Sequence, residues 1–312
     1  MKHWGSLDPA HLTRVTDSRE AAALFRRAVR MVEIEVFSYC NRRCWFCPNS
    51  YIDRISSNTY MAPALYSSII DQLASIGYAE KISYSRYNEP LADKCILDRI
   101  REARAKLPSA LLHTNSNGDY LTPEYLAELY DAGLRSLRLQ VYLQNNERYS
   151  HDRIRSRARQ MLEKLDFPCK LKIDEPGKRL EYRLAYRDMD IRLYGRNFSL
   201  DGTSRGGLVD VKRDYERTSP CLVPVWSVYI DHNGKIVPCC NFRSDAAEHA
   251  DYVMADLNNE PNLFLAYTNA SLASFRRSLL NEEVKGGLCG DCHFALQKMT
   301  PEKRAVMKRL AA

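Results

Sequence analysis

Two kinds of apolar segment alternate along the first two thirds of the chain. Val32, Ile34 and Val36 have the two-residue period of a β-strand, whereas residues 62–77 carry apolar side chains at helical spacing and end at Gly77. The same alternation predicts strands at 82–84, 110–113, 137–143, 169–173 and 191–194, and helices at 93–106, 123–132 and 146–164. Six strand–helix units predict an α/β fold whose parallel sheet is covered by helices, a partial (β/α)6 TIM-like barrel with one open side.

The segments on either side of this alternation have their own patterns. Residues 18–30 predict a short amphipathic helix with Ser18 as its N-cap. Near the other end, Tyr229–Val237 predicts a β-hairpin with Asn233-Gly234 as a two-residue turn, and 271–280 predicts a helix. The chain therefore divides into an N-terminal helical extension, a partial barrel and a small cysteine-rich domain, at 1–30, 31–207 and 208–312.

Composition and charge restrict the class of protein. Of 312 residues 45% are apolar, yet no apolar run is long enough for a membrane span and none resembles the core of a signal peptide. We therefore expect a cytoplasmic protein without a membrane partner. The net charge of +7 comes from scattered basic residues, so a nucleic-acid partner is not expected and an anionic cofactor or substrate is enough to explain it. In a reducing compartment the ten cysteines indicate metal binding or chemistry in preference to disulfides.

Three cysteines follow the first predicted strand at the spacing CxxxCxxC, as Cys40, Cys44 and Cys47. Three thiolates can ligate three irons of a 4Fe–4S cluster and leave the fourth iron open to a chelating molecule. A zinc site would normally close with a fourth protein ligand. Buried or zinc-binding cysteines are the alternative interpretation.

This motif, with Phe46 before its last cysteine, resembles that of the radical S-adenosylmethionine (SAM) superfamily. The resemblance implies that the amino and carboxylate groups of SAM chelate the open iron. It also implies that one electron cleaves SAM to a 5′-deoxyadenosyl radical, which takes a hydrogen atom from a substrate carbon.

Two further segments resemble SAM-binding elements of that superfamily. Residues 85–91 resemble its GGEP element, although Tyr87-Asn88 replaces the two glycines, and residues 113–118 resemble its TNG turn. Gln140 and Arg192, in the fourth and sixth predicted strands, are weaker matches. The resemblance thus implies a set of SAM-binding residues that comprises Phe46, Asn88, Glu89, Pro90, Asn115, Ser116, Gln140 and Arg192.

Four of the remaining cysteines form a second set, Cys221, Cys239, Cys289 and Cys292. Four thiolates suit either zinc or a closed iron–sulfur cluster, and the spacing alone does not choose between them. The set resembles the twitch domain, the short form of the SPASM domain that follows radical SAM barrels, which implies one auxiliary 4Fe–4S cluster.

Cys240 lies next to a member of this set and is left without a ligand role. The chain resembles two groups in the superfamily, epimerases of the neomycin type and dehydrogenases of the 2-deoxy-scyllo-inosamine type. The first implies epimerisation of a small sugar, aminocyclitol or nucleoside, with Cys240 as hydrogen-atom donor. The second implies oxidation of the same substrate class, with the auxiliary cluster as electron acceptor. Either reaction implies a low-potential electron donor such as flavodoxin or ferredoxin.

Two other functions are alternatives to these reactions. Modification of a ribosomal peptide usually comes with an added peptide-recognition domain, for which the 30 residues of the N-terminal extension give little room. A non-catalytic role as an iron–sulfur or zinc redox sensor is the alternative outside enzymes.

Overall fold

The computed structural model describes residues 4–211 and 214–311. The strands in these ranges are β1 Met31–Ile34, β2 Lys81–Ser83, β3 Leu111–Ser116, β4 Ser136–Gln140, β5 Cys169–Glu175, β6 Arg179–Tyr186, β7 Met189–Arg196, β8 Ser227–Ile230, β9 Lys235–Val237 and β10 Ala255–Asp256. The α-helices are α1 Ser18–Ala28, α2 Pro63–Ser75, α3 Cys95–Lys106, α4 Pro123–Ala132, α5 His151–Leu165, α6 Phe198–Asp201, α7 Val223–Trp226, α8 Leu263–Tyr267, α9 Ala270–Leu279 and α10 Pro301–Ala311.

These strands form a single sheet in the order β10-β9-β8-β1-β2-β3-β4-β7-β6-β5. The six central strands, from β8 to β7 in this order, are parallel to one another. Antiparallel strands extend the sheet at both edges. The predicted α/β class with a partial barrel is therefore confirmed.

The fifth and sixth parallel strands of the barrel differ from the two that the sequence predicted. The predicted strand at 169–173 is β5, which lies antiparallel at the sheet edge, and β6 was not predicted. Only residues 176–178 and 187–188 connect β5, β6 and β7, and a parallel crossover needs about a dozen residues or more. The sixth parallel strand is β8, which pairs with β1, so the sheet crosses the boundary predicted at 207/208. The domain boundaries themselves stay a prediction.

The predicted ends of two elements are wrong by small amounts. The carboxylate of Asp17 accepts hydrogen bonds from the N–H groups of residues 19 and 20, so Asp17 is the N-cap of α1 and Ser18 is the first helical residue. In the hairpin, the Gly234 N–H donates to the Asp231 carbonyl at 2.8 Å, which makes the turn four residues long. Gly234 alone has a left-handed backbone there, with φ +81°, whereas a two-residue type I′ turn also needs a positive φ at Asn233.

The fifth helix starts later than the predicted residue 146 because the cysteine loop occupies that segment. The Trp45 N–H donates to the Asn145 carbonyl at 2.8 Å, and the Trp45 indole N–H donates to the Glu147 carbonyl at 3.0 Å. These bonds hold the segment in a non-helical conformation, and α5 begins at His151.

Helix α1, in the N-terminal part of the chain, packs its apolar face on α8, in the C-terminal part. The ring of Phe25 is fully buried, with ring centroids 5.2 Å from Phe264, 5.1 Å from Tyr267 and 6.1 Å from Tyr78. Within the described ranges, no helix has the length and apolar character needed to cross a membrane.

The barrel strands bury apolar residues outward and polar residues inward. The positions that face the helices include Ile82, Leu112, Leu137, Leu139, Ile191 and Leu193. The alternate positions that face the interior include Glu33, Ser83, His113, Arg138 and Arg192. A closed barrel fills its interior with layers of branched aliphatic side chains. This interior is polar instead, and it contains two cavities.

Replacing Phe25 with Ala tests the packing between α1 and α8. Removing a fully buried aromatic ring leaves a cavity, so we expect the free energy of unfolding to fall by about 3–5 kcal/mol. Denaturant titration measures the change, with the exposed neighbour substitution Arg26→Ala as a control that keeps wild-type stability. Equal midpoints for both variants would contradict this packing.

Candidate active site

The first cavity, here the upper cavity, lies at the carboxyl ends of the parallel strands and has a volume of about 250 Å3. It is bounded by the cysteine loop after β1, by the loops after β2 and β3, and by the ends of β4 and β7. The structure brings ten of the predicted site residues to its wall, namely Cys40, Cys44, Phe46, Cys47, Asn88, Glu89, Asn115, Ser116, Gln140 and Cys240.

The cysteine loop is held in place by backbone hydrogen bonds. The Cys40 N–H donates to the Arg54 carbonyl at 3.0 Å, and the Cys47 N–H donates to the Cys44 carbonyl at 2.9 Å. Burial raises the pKa of Cys40 and of Cys44 to about 12. Both thiols are therefore protonated in this form, and a metal that binds them must displace their protons.

Arg42 connects this loop to the barrel. Its guanidinium donates two hydrogen bonds of 2.7 Å to the Asp119 carboxylate and one of 3.0 Å to the Leu143 carbonyl. A bidentate arginine–carboxylate pair fixes both position and orientation. The loop that carries the three cysteines is thus held to the ends of β3 and β4.

Glu89 is the centre of a hydrogen-bond network at the cavity wall. Its buried carboxylate accepts hydrogen bonds from Ser116 Oγ at 2.7 Å, from the Asn117 N–H at 2.8 Å and from the Leu91 N–H at 3.1 Å. Burial raises its pKa to about 7, although these hydrogen bonds oppose the rise. The carboxylate therefore joins the loops after β2 and β3, and it has room for one further donor.

Two amide groups at the cavity wall point to a ligand rich in oxygen atoms. The Nδ2 atom of Asn88 and the Nε2 atom of Gln140 are buried and have no hydrogen-bond partner among the described residues. A buried donor without a partner is costly, and a bound ligand removes that cost. The carboxylate and ribose hydroxyls of SAM are oxygen acceptors of the required kind, so the residues present fit SAM.

An aromatic stack forms one side of the cavity. The rings of Phe46 and Phe198 lie parallel with centroids 3.5 Å apart, and Tyr142 lies 5.4 Å from Phe46. The guanidinium of Arg196 lies over Phe198, 4.6 Å from its centroid. This side therefore offers apolar surface and a cation next to the cysteine loop.

Two of the predicted SAM-binding residues do not reach this cavity. Pro90 is buried and begins a short 3-10 turn capped by Glu89, and it does not line the cavity. Arg192 lies nearer the start of its strand and lines a second cavity below. Side chains alternate along a strand, so Tyr194 and Arg196 share the inward face with Arg192 and lie nearer the carboxyl end, where both line the upper cavity.

Several cavity residues were missed by sequence reasoning, among them Arg42, Tyr194 and Arg196. The period of two in β7 could have found Tyr194 and Arg196, since ligands gather at the carboxyl ends of barrel strands. Arg205, a candidate from sequence for binding polar groups of a substrate, also lines the cavity, in an irregular segment with a left-handed backbone, φ +50°.

The adjacent cysteines Cys239 and Cys240 have different surroundings. Cys240 lines the upper cavity, and its carbonyl accepts a 2.8 Å hydrogen bond from the Tyr87 hydroxyl. The Sγ atom of Cys239 accepts from the Asn241 N–H at 3.4 Å, and the Asn241 amide also lies 3.7 Å from Cys292 Sγ. Cys240 therefore belongs to the upper cavity, and Cys239 lies with the second cysteine set.

The cysteines of the second set are half-buried and have two cations nearby, Arg217 and Lys285. Burial, with Cys221 and Cys292 as neighbours, raises the pKa of Cys289 to about 12. Arg217 is 1% exposed and donates to the Cys292 carbonyl at 3.0 Å. Lys285 lies close enough to Cys289 for the two charges to interact.

Within the described ranges, no three His, Cys, Asp or Glu side chains converge closely enough to ligate a single ion. A 4Fe–4S cube has one iron for each cysteine and separates its ligands more widely than a single ion does.

A buried charge network joins the barrel to the cysteine-rich domain. Glu35, directly after β1, is fully buried and accepts hydrogen bonds from Arg54 Nη1 at 3.0 Å and from the Tyr87 N–H at 3.0 Å. A 2.8 Å hydrogen bond also joins it to Nδ1 of His232 in the hairpin. Burial alone would raise the pKa of Glu35, but Arg54 and His232 outweigh it and hold that pKa below its usual value.

Three further ion pairs extend this network. Arg54 pairs with Asp245 at 2.9 Å, and Asp245 in turn accepts from Arg243 at 2.7 Å. On the barrel side, Arg86 donates to Asp231 at 2.8 Å. The cysteine loop, the loop after β2 and the hairpin are thus held by the same set of charges.

Two regions of the chain match known families. Residues 34–166 match the radical SAM superfamily, and residues 221–293 match an iron–sulfur cluster-binding domain, SPASM. The chain therefore contains a radical SAM domain and, after it, an iron–sulfur cluster-binding domain of the SPASM type. These domains imply SAM with a 4Fe–4S cluster and auxiliary iron–sulfur chemistry, which confirms the predicted cofactors. The superfamily also favours an enzyme over a non-catalytic sensor.

Among its relatives, S-adenosyl-L-methionine-dependent 2-deoxy-scyllo-inosamine dehydrogenase from Niallia circulans is 26% identical over 265 residues, which is 84% of this chain and 92% of the relative. The crystal structure of BtrN in complex with AdoMet and 2-DOIA matches with a TM-score of 0.64 and 25% identity, over 88% of this chain and 97% of that one. A BtrN structure in an open conformation matches with a TM-score of 0.55 and 24% identity, over 85% and 92% of the two chains, and it shows the fold alone.

Replacing Glu35 with Gln tests the charge network. The substitution removes the charge of one of the two carboxylates that pair with the buried Arg54 and leaves Asp245, so we expect the free energy of unfolding to fall by about 1.5–3 kcal/mol. Anaerobic denaturant titration of the holoprotein measures this. The control is Asp53→Asn, which breaks the exposed pair of Asp53 with Arg43 and should keep the wild-type midpoint. A wild-type midpoint for E35Q would show that the network does not stabilise the domain contact.

Proposed function

We propose that Cys40, Cys44 and Cys47 ligate a 4Fe–4S cluster whose open iron is chelated by SAM in the upper cavity. All three cysteines line this cavity together with the unpartnered amides of Asn88 and Gln140. When bound and given one electron, the cluster and SAM supply a 5′-deoxyadenosyl radical that removes a hydrogen atom from a substrate carbon. Asn88 and Gln140 then donate to ligand oxygens, and Glu89 keeps the loops after β2 and β3 in position.

The second cysteine set, Cys221, Cys239, Cys289 and Cys292, ligates the auxiliary 4Fe–4S cluster. The matched iron–sulfur domain supports iron over zinc at this position. Arg217 and Lys285 supply positive charge beside thiolates that are negative when bound to iron.

The reaction that the geometry supports best is epimerisation of a carbinol carbon in a small sugar, aminocyclitol or nucleoside. One observation carries this proposal: the side chain of Cys240 lines the same cavity as the three cysteines of the first set. After one hydrogen atom has left the substrate carbon, the Cys240 S–H bond breaks and its hydrogen atom joins the opposite face of that carbon. The sulfur radical that remains takes up one proton and one electron, the electron from a flavodoxin or ferredoxin.

Dehydrogenation of the same carbon is the second candidate, and the 2-deoxy-scyllo-inosamine dehydrogenase relative favours it. Here the substrate radical loses the hydroxyl proton and a second electron, and a carbonyl forms. The auxiliary cluster accepts this electron. Its proposed ligand Cys239 is next in sequence to Cys240, which lines the cavity. The polar upper cavity suits a hydroxylated small molecule in either case.

Iron content tests the two ligand sets. We expect about eight irons in the reconstituted wild type, on two 4Fe–4S clusters. Cys44→Ala should lose about four of them together with SAM cleavage, and Cys289→Ala should lose about four and keep SAM cleavage. The exposed Cys169 lies outside both sets, so C169A is the control with wild-type iron content. Zinc in place of iron in the second set, or complete iron loss in C289A, would be inconsistent with this assignment.

Turnover in deuterium oxide separates the two reactions. Thiol hydrogens exchange with solvent, so an epimerase that uses Cys240 should place one deuterium on the product carbon. Cys240→Ala should retain both clusters and SAM cleavage and lose the epimer. A product lighter by two hydrogen atoms, formed equally by C240A, would establish dehydrogenation instead.

A further inference from the structure

The second cavity of the barrel, here the lower cavity, lies at the amino ends of the parallel strands and has a volume of about 450 Å3. It meets the upper cavity at four shared wall residues, Glu33, Asn115, Tyr194 and Arg196. The proposed radical chemistry uses none of the side chains at its base.

Three arginines stand side by side across this part of the sheet. Arg192 on β7 is directly paired with Arg138 on β4 and with Arg183 on β6, so all three side chains leave the same face of the sheet. Like charges directly opposite one another on neighbouring strands destabilise a sheet. A row of three therefore needs negative charge nearby.

The protein supplies only part of that charge. Asp190 accepts from Arg138 Nη2 at 2.7 Å and also bonds Arg183, whereas the Nε atom of Arg192 lies 3.8 Å from Asp190 and has no hydrogen-bond partner among the described residues. Burial and the two neighbouring arginines lower the pKa of Arg192. Asp190 is thus shared by three arginines, and a further carboxylate beside the row, Glu181, pairs with Arg183 at 3.4 Å.

The lower cavity as a whole also has more cations than carboxylates. Its cations are Lys81, Arg138, Arg179, Arg192 and Arg196, and its carboxylates are Glu33 and Asp190. Arg179 pairs with Glu181, but within the described ranges no carboxylate lies within 4.0 Å of Lys81 or Arg196. Burial raises the pKa of Glu33 to about 7, which reduces its negative charge at neutral pH.

We propose that the lower cavity binds a phosphate group at Arg192, with Arg138 beside it and Lys81, three strands away on β2, as a further cation of the same cavity. The guanidinium fork matches phosphate oxygens with two parallel hydrogen bonds, and a phosphate dianion supplies the charge that Asp190 does not. This inference goes beyond the proposed reaction and does not depend on it.

Inorganic phosphate is the probe, added to the anaerobic holoprotein, with chloride at equal ionic strength as the reference. We expect phosphate to raise the Tm above the chloride value, because a ligand that binds only the folded state stabilises it. Calorimetric titration then gives the Kd for phosphate. Arg192→Met should weaken phosphate binding by roughly tenfold or more, the loss expected for charge-assisted hydrogen bonds.

Arg187→Met is the matched control, because Arg187 is exposed, pairs with Asp131 and lies outside the cavity. It should bind phosphate like the wild type. R192M removes a cation that repels its neighbours, so it should fold and melt at or above the wild-type Tm in chloride. If R192M nevertheless fails to fold, Lys81→Met gives the same test from the other side of the cavity.

Equal Tm values in phosphate and chloride, or an unchanged Kd in both cavity variants, would overturn the proposal. A second titration with glucosamine 6-phosphate identifies the source of the phosphate. Tighter binding of the ester than of inorganic phosphate assigns the cavity to a phosphorylated substrate, and weaker binding assigns it to free phosphate. Neither titration requires SAM cleavage, so failure here is distinct from failure of the proposed reaction.

Discussion

The arrangement of both sites depends on one buried carboxylate, that of Glu35. It lies where β1 ends and the cysteine loop begins, and it contacts Arg54, the Tyr87 backbone and His232. A fully buried charge is stable only where partners surround it, so the partners have little freedom to move apart. The loop with Cys40, the loop with Glu89 and the hairpin that leads to Cys239 therefore adopt one mutual arrangement.

The inward face of the barrel explains why the fold can host ligands along its length. Inward positions from Glu33 to Arg196 are polar or charged, and the strands pack their apolar residues only against the helices. The upper half carries unpartnered amide donors and four cysteines, whereas the lower half carries an excess of cations. The inward face of one sheet thus forms two chemically different cavities, and only a few residues along each strand separate them.

Sequence reasoning recovered what is encoded locally and missed what depends on pairing between distant segments. Cys40, Cys44 and Cys47 share a short loop, and helix α4 carries its own stop signal at Gly133, so both were predictable. The strand order was not, because β5 has the same apolar pattern as a parallel strand and its direction is set by short connections. Arg192 was predicted to bind SAM, whereas it lines the lower cavity. The periodicity of a strand gives the face on which a side chain lies, but it does not give the position of that side chain along the barrel axis. The partners of Glu35 lie up to 197 residues away along the chain, where no spacing rule applies.

Because Cys239 and Cys240 are adjacent in sequence, oxidative damage at one of them affects the position of the other. Their Cα atoms are separated by a single peptide link of about 3.8 Å, so one residue cannot move without the other. In the proposed assignment Cys239 ligates the auxiliary cluster, so oxidative loss of that cluster would release Cys239 and change the position of Cys240, which lines the upper cavity. Exposure to oxygen would then alter the outcome of turnover even in molecules whose first cluster survived.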